Sequence, residues 1–395
     1  MPSLAFRLLL VLLVTSSSIA SAACRQQPQA ATASTAVPAQ SEPAHDRGLT
    51  DTARLLAGLA PDAAGRLAPV AARPEWQAWQ SEFDAEWTKA TRERFVQMTE
   101  WRNRELNAAQ TRACATLMYP FSGPDILNAW LLFPDCQRYV LFGLEQPGSL
   151  PPLDRLTAER SATLLDETRH AMNDLLARNY FITRHMLKDT AAPELHGTLP
   201  LMAIFLVRLD ARIVSVRDVE IAEDGQLRDR SAAVREHKAA PAVEVAFVRP
   251  GHQPQSLVYF RAQAEDRAIS QRPGVVPFLR NQAPFATFLK SASYLLHGTQ
   301  FTSVRQLLLT HSTLILEDDS GIPLRFLKPA DWQVTLYGRY QKPVKDFNYG
   351  YQSDLARAYA VERGVKPLTF SFGYHWEAGS AAVLLAVRRT PPASH

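Results

Sequence analysis

What this chain of 395 residues lacks narrows its function before anything it contains. Its cysteines are only Cys24, Cys114 and Cys136, so there is no C-x-x-C, and its ten histidines show neither H-x-H nor HExxH spacing. A zinc site therefore has no ligand pattern, and no metal is assigned. The seventeen glycines are scattered and never form G-x-G-x-x-G, the spacing that lets backbone approach a pyrophosphate. G-x-S-x-G and S-x-x-K are also missing, which removes the local signatures of serine nucleophiles. The longest basic run of note is Arg388-Arg389 in a chain of net charge +4, too sparse for a nucleic-acid surface. The longest apolar run falls short of the ~20 residues of a membrane-spanning helix.

The first fifty residues are informative. Arg7, the run LLLVLLV and the small residues ending at Cys24 follow the order of a secretory signal over 1–23. Ala20-Ser21-Ala22 suits ordinary signal cleavage. Ser21-Ala22-Ala23-Cys24 resembles a bacterial lipobox, with Ser21 where leucine is usual. The second option implies lipidation at Cys24, a membrane partner through that lipid and a place on the periplasmic side of the envelope. It also leaves Cys114 and Cys136 to pair in an oxidising compartment. Residues 24–50 are rich in Ala, Gln, Pro and Ser, and are expected to be a flexible tether reaching roughly 25–30 Å.

The body, 51–395, is expected to be α/β with mixed, largely buried sheets. Trp76, Trp79, Phe83 and Trp87 mark one face of a helix from Pro74 to about Leu106. RACATLMY, PDILNAWLLF and QRYVLFGLE then spell strand, helix, strand, a βαβ unit with buried parallel strands. Cys114 lies early in the first strand and Cys136 just before the second, at the same edge, where a disulfide fits. Leu153–Asn179 is expected to be one helix, with another over Phe181–Leu187. AVEVAFV and SLVYFRAQ form an antiparallel pair, Phe278–Leu296 a mostly helical stretch, and FTSVRQLLLTHS a helix before the buried strand TLILEDDSG. PLTFSFGYHW and AAVLLAVRR close the chain as an antiparallel hairpin. The polar stretch 224–241 is an exposed excursion or a seam between two halves.

Three polar stretches carry the candidate chemistry. YPFSGPD follows the first strand, and Glu145 closes the second strand twenty residues after Asp125, where dinucleotide folds place a ribose-binding acid. The glycine pattern of such folds is absent, and nucleotide cofactors are scarce outside the cytoplasm, so that reading is set aside. Ser122-Gly123-Pro124-Asp125 is then a turn plus a helix start. Glu317, Asp318 and Asp319 leave a buried strand together and need donors, cations or a shared proton. Lys290, Tyr294 and His297 would share one face of the helix expected at FLKSASYLLH.

YPFSGPD, FPDCQRYVLFGLEQPG, FLKSASYLLH and ILEDDSGIP together resemble an uncharacterised family of exported bacterial proteins, over the folded body from before Arg112 onward. The resemblance implies bacterial export and one shared architecture; it transfers no catalytic residue and no cofactor. The leading expectation is an envelope protein with a binding or structural role. One alternative is a hydrolase or metal-dependent enzyme built on Asp125, Asp318 and Asp319 with Lys290 and His297. The other is a two-lobed small-molecule binding protein with its hinge near 224–241.

Overall fold

The computed structural model describes residues 45–106, 114–178, 180, 188–189, 191, 194–230, 238–361, 364–377 and 379–390. The signal sequence, Cys24 and the helix expected over Phe181–Leu187 lie outside these residues. The first described helix, Arg47–Leu56, begins inside the stretch assigned to the tether, because the Asp46 side chain caps it by accepting from Leu49 N–H.

The βαβ unit forms as expected. Strand β1 (Thr116–Pro120) leads through the helix Ile126–Leu132 to β2 (Arg138–Gly143), and the two strands pair in parallel. Cys114 and Cys136 are bonded just before the two strands begin. The antiparallel pair follows, with β5 (Ala240–Val248) on β6 (Gln255–Arg261). Outside them lie β3 (Arg212–Ile221) and the short edge strand β4 (Leu227–Asp229). The described part of the polar stretch 224–241 thus contributes an edge strand and the start of β5 to the same sheet, and the described residues fall in one compact unit.

The second half corrects one expectation. Phe278–Leu296 is not a helix: after the short helix Val275–Arg280 the chain enters β7 (Phe285–Leu289), buried along its whole length. A five-residue apolar run carries no periodicity that separates strand from helix, and burial on both faces decided for strand. The helix Thr302–His311 then leads to β8 (Ser312–Glu317), parallel to β7. At the C-terminus β10 (Ala382–Arg388) lies between β8 and β9 (Trp332–Gly338), antiparallel to both. The expected strand Leu368–Trp376 is irregular instead. Its alternation is real, since Leu368, Phe370, Phe372 and Tyr374 are buried, but β9 already occupies the place beside β10. Trp376 is exposed.

The described sheet has the order β4-β3-β5-β6-β2-β1-β7-β8-β10-β9. Its centre, β6-β2-β1-β7-β8, is parallel. Successive side chains of these strands enter opposite cores: Leu117, Tyr119 and Leu141 one, Met118, Val140 and Phe142 the other. The first core also holds the aromatic stripe Trp76, Trp79 and Phe83 and the apolar helix Leu199–Arg208. That stripe is packing: the Trp76 and Trp79 indoles donate to the carbonyls of Leu55 and Leu56.

The crossover β1→β2 packs in this first core through Trp130, and the crossover β7→β8 packs in the second through Val304 and Leu308. Connections therefore leave the adjacent strands β1 and β7 in opposite directions and on opposite faces. In doubly wound sheets that arrangement opens a crevice at the carboxyl ends of the strands.

Candidate functional site

A cavity of about 260 Å³ occupies that crevice. Its walls come from the segments that follow four neighbouring parallel strands: Phe121–Asp125 after β1, Gly143–Glu145 after β2, Ala262–Glu265 after β6, and Lys290 to Ser293 after β7.

Asp125 caps the helix Ile126–Leu132 by accepting from Asn128 N–H at 3.1 Å, as the turn reading of SGPD required. Pro124 sits one residue before that cap, outside the helix. The remaining acceptor capacity of Asp125 is taken by the Asn128 amide, by the Tyr119 hydroxyl at 2.9 Å and by the Lys290 ammonium at 2.9 Å. Both partners of the ion pair are buried. Burial pulls the Lys290 ammonium below its usual value, against the opposing pull of Asp125. Burial and the adjacent Asp125 charge hold the Tyr119 phenol well above its usual value, so it serves as a donor. Ser122 is not poised as a nucleophile: its hydroxyl donates to the Gly123 carbonyl.

Glu145 reaches the same cavity from β2 and is 3% exposed. The Tyr259 hydroxyl lies 3.1 Å from both its Oε2 and its backbone carbonyl. Burial raises the Glu145 carboxyl above its ordinary value, and hydrogen bonds, including that from Tyr259, offset part of the rise. Glycine at 143 makes room for it: a Cβ there would sit 2.5 Å from Glu145 Oε2 and 3.0 Å from the Tyr259 hydroxyl.

Lys290 and His297 do not share a helix face. β7 ends in a tight turn in which Ser291, Ser293 and Tyr294 all take left-handed φ angles of 53–55°. Such backbone is costly without glycine and persists only where its surroundings hold it. Asp318 supplies the hold, accepting from Ser291 N–H through Oδ2 at 2.9 Å and from Ser320 N–H and Oγ–H through Oδ1. Ser320 Oγ in turn accepts from Ala292 N–H at 2.7 Å, and the Tyr374 hydroxyl donates to the Ser291 carbonyl.

The other acids are similarly occupied. Glu317 accepts from Ile322 N–H at 2.7 Å, and Asp319 accepts from the Tyr294 hydroxyl at 2.6 Å. Burial and then the neighbouring Asp318 push Asp319 up to about 7. His297 packs edge-on against Tyr294, and burial, followed by the Arg325 charge, lowers it to about 4, so it is neutral near pH 7.

Of the candidates, Asp125 and Lys290 meet in the cavity, whereas Asp318, Asp319 and His297 do not line it and instead contact the turn after β7. No group of three His, Cys, Asp or Glu side chains among the described residues is placed to hold a metal ion. Tyr294 was singled out, though on a helix face it does not occupy; sequence reasoning missed the roles of Tyr119, Tyr259 and Tyr374. These tyrosines each reach an acid or a strained turn, and the available signal was a phenol within or beside an apolar strand, which must find a partner when buried. No protein-family model, curated protein or solved structure matches the chain.

Proposed function

We propose that the protein is an exported envelope protein that binds a small molecule in the crevice beyond β1, β2, β6 and β7. One observation carries this reading: a cavity of about 260 Å³ at the switch point of the parallel strands gathers the buried groups Asp125, Lys290 and Glu145. Cavities used for small ligands run from about 300 Å³ upward and combine apolar walls with a few convergent polar groups. Burying three ionisable groups beside a void has no packing advantage. The binding reading is preferred to the enzyme built on Asp125, Asp318 and Asp319, because Asp125 is ion-paired to Lys290 and donors from the neighbouring loops already reach Asp318 and Asp319.

The test is a thermal-shift screen of the full chain against a small-metabolite library. Leu144 is 39% exposed and lines the cavity, so Leu144→Trp is expected to obstruct it without disturbing the core. Hits that stabilise the wild type and are lost in Leu144→Trp support the site. A library without hits, or hits indifferent to Leu144→Trp, defeats it. Envelope anchoring is tested separately. A Cys24→Ser chain is expected to leave the membrane fraction, and retention after a salt wash rules out the lipid.

A further inference from the structure

Resting on that binding site, we propose that its ligand presents a vicinal diol to the Glu145 carboxylate, and that it is a nucleoside or sugar without a phosphate. Four observations converge on this chemistry.

The order β6-β2-β1-β7-β8 is that of a doubly wound sheet with β1 at its centre. In such sheets an acid at the tip of the strand beside the central one accepts hydrogen bonds from neighbouring sugar hydroxyls. Glu145 stands at that tip with its carboxylate in the cavity wall. A carboxylate has two oxygens that accept and no proton to give, which matches two adjacent hydroxyl donors. The Tyr259 hydroxyl and the absence of a Cβ at residue 143 fix where it points.

The phosphate half of a nucleotide site is missing. The turn after β1 offers Gly123 alone, followed by proline, which has no N–H to donate. Lys290 is ion-paired to Asp125 at 2.9 Å. With that pair neutralised, the lining keeps two further carboxylates, Glu145 and Glu265. An anionic ligand would meet repulsion there, while a neutral or cationic one would not.

The rest of the wall is apolar. Phe121, Leu144, Leu295 and Phe301 line it, with the rings of Phe121 and Phe301 6.2 Å apart, edge to face. Such a wall suits a flat base or the apolar face of a pyranose better than a charged chain.

Calorimetric titration of the full chain with the four ribonucleosides, their 2′-deoxy counterparts, ribose and a nucleoside monophosphate tests the proposal. At least one ribonucleoside or ribose is expected to bind. Removal of the 2′-hydroxyl from a bound nucleoside should weaken it about tenfold or more, the usual loss for one hydrogen bond to a charged group. The 5′-phosphate should weaken it as well. Binding by ribonucleosides alone assigns the apolar wall to a base, and equal binding by ribose assigns the site to a sugar.

Glu145→Gln should reproduce the loss while leaving the melting temperature near that of the wild type. The deoxy comparison needs no variant, so it stands even if Glu145→Gln folds poorly. Equal affinity for ribo and deoxy forms, tighter binding of the monophosphate, or no binding by any of these probes overturns the proposal. If library compounds without a diol bind in a Leu144→Trp-sensitive manner while these probes fail, the binding site stands and the diol assignment falls.

Discussion

Two acidic strand ends meet at the same edge of this sheet, and they have been put to opposite uses. After β8, Glu317, Asp318 and Asp319 turn inward and accept from backbone N–H groups, a serine and a tyrosine, so their charges organise loops. After β1 and β2, Asp125 and Glu145 line a void, and Asp125 draws in an ammonium from the neighbouring strand. The first cluster accepts mainly from its own loops; the second lines the larger cavity. In sequence the two look alike, since each combines Ser-Gly with acids after an apolar run. What separates them is where the donors come from. The β8 acids find most of theirs within a few residues or in the loop opposite.

The largest effect that can break this comparison is at the ion pair. Lys290→Met leaves Asp125 charged and buried, and should cost about 3–5 kcal/mol in urea unfolding. The double variant Asp125→Leu with Lys290→Met should recover most of that loss. If Lys290→Met costs no more than a surface substitution, the pair is not buried as described.

Next in size is the Cys114–Cys136 bond, at the opposite edge of the same two strands, closing a loop with a sequence separation of 22. Its reduction should cost about 3 kcal/mol through loop entropy. Because it lies at the far ends of β1 and β2, ligand affinity below the unfolding range should be unchanged. A reduced protein that is stable but no longer binds would mean that the two edges are coupled.

The most gradual effect, spread over several pH units, is a pH dependence at Asp319. Its carboxyl rises from an ordinary value of 3.8 to about 7 in the fold. The folded state therefore holds a proton that the unfolded chain releases, and this contribution is complete below about pH 4 and lost as pH rises through about 7. Compared with Asp319→Asn, which does not titrate, the wild type should lose stability across that window, up to the about 4 kcal/mol that a full shift of this size carries. Parallel stability curves for the two proteins would show that Asp319 is not protonated by burial.

Much of this was legible locally. The βαβ unit, the cap at Asp125, the disulfide and the buried strand before Glu317 each follow from a pattern confined to about thirty residues or fewer. β7 was not legible, because FATFL is short and flanked by helix-compatible sequence. The pairing of Leu368–Trp376 was not legible either. Alternation reports which side chains are buried, and it says nothing about which strand edge is still available. Glu145 is the instructive case. The spacing from Asp125 pointed to a sugar-binding acid, but it was judged together with a glycine pattern that serves phosphate. On the diol proposal, Glu145 keeps the sugar half of that motif without the phosphate half.

The glycines beside these acids carry a consequence for the divergence of related chains. A Cβ at Gly143 would crowd Glu145, one at Gly321 would collide with the Glu317 carboxylate, and one at Gly373 with that of Asp318. Each acid is thus mated to a glycine that is close in space, and in one case more than fifty residues away in sequence. A lineage that exchanges the acid for something smaller relieves the closest of these clashes, although Gly373 is also held by its φ of 63°. Where the acid is kept, the glycine is frozen with it. A side chain at 373 should therefore be found only among relatives that have also lost the Asp318 carboxylate, a one-way linkage across distant loops that neither local motif would reveal.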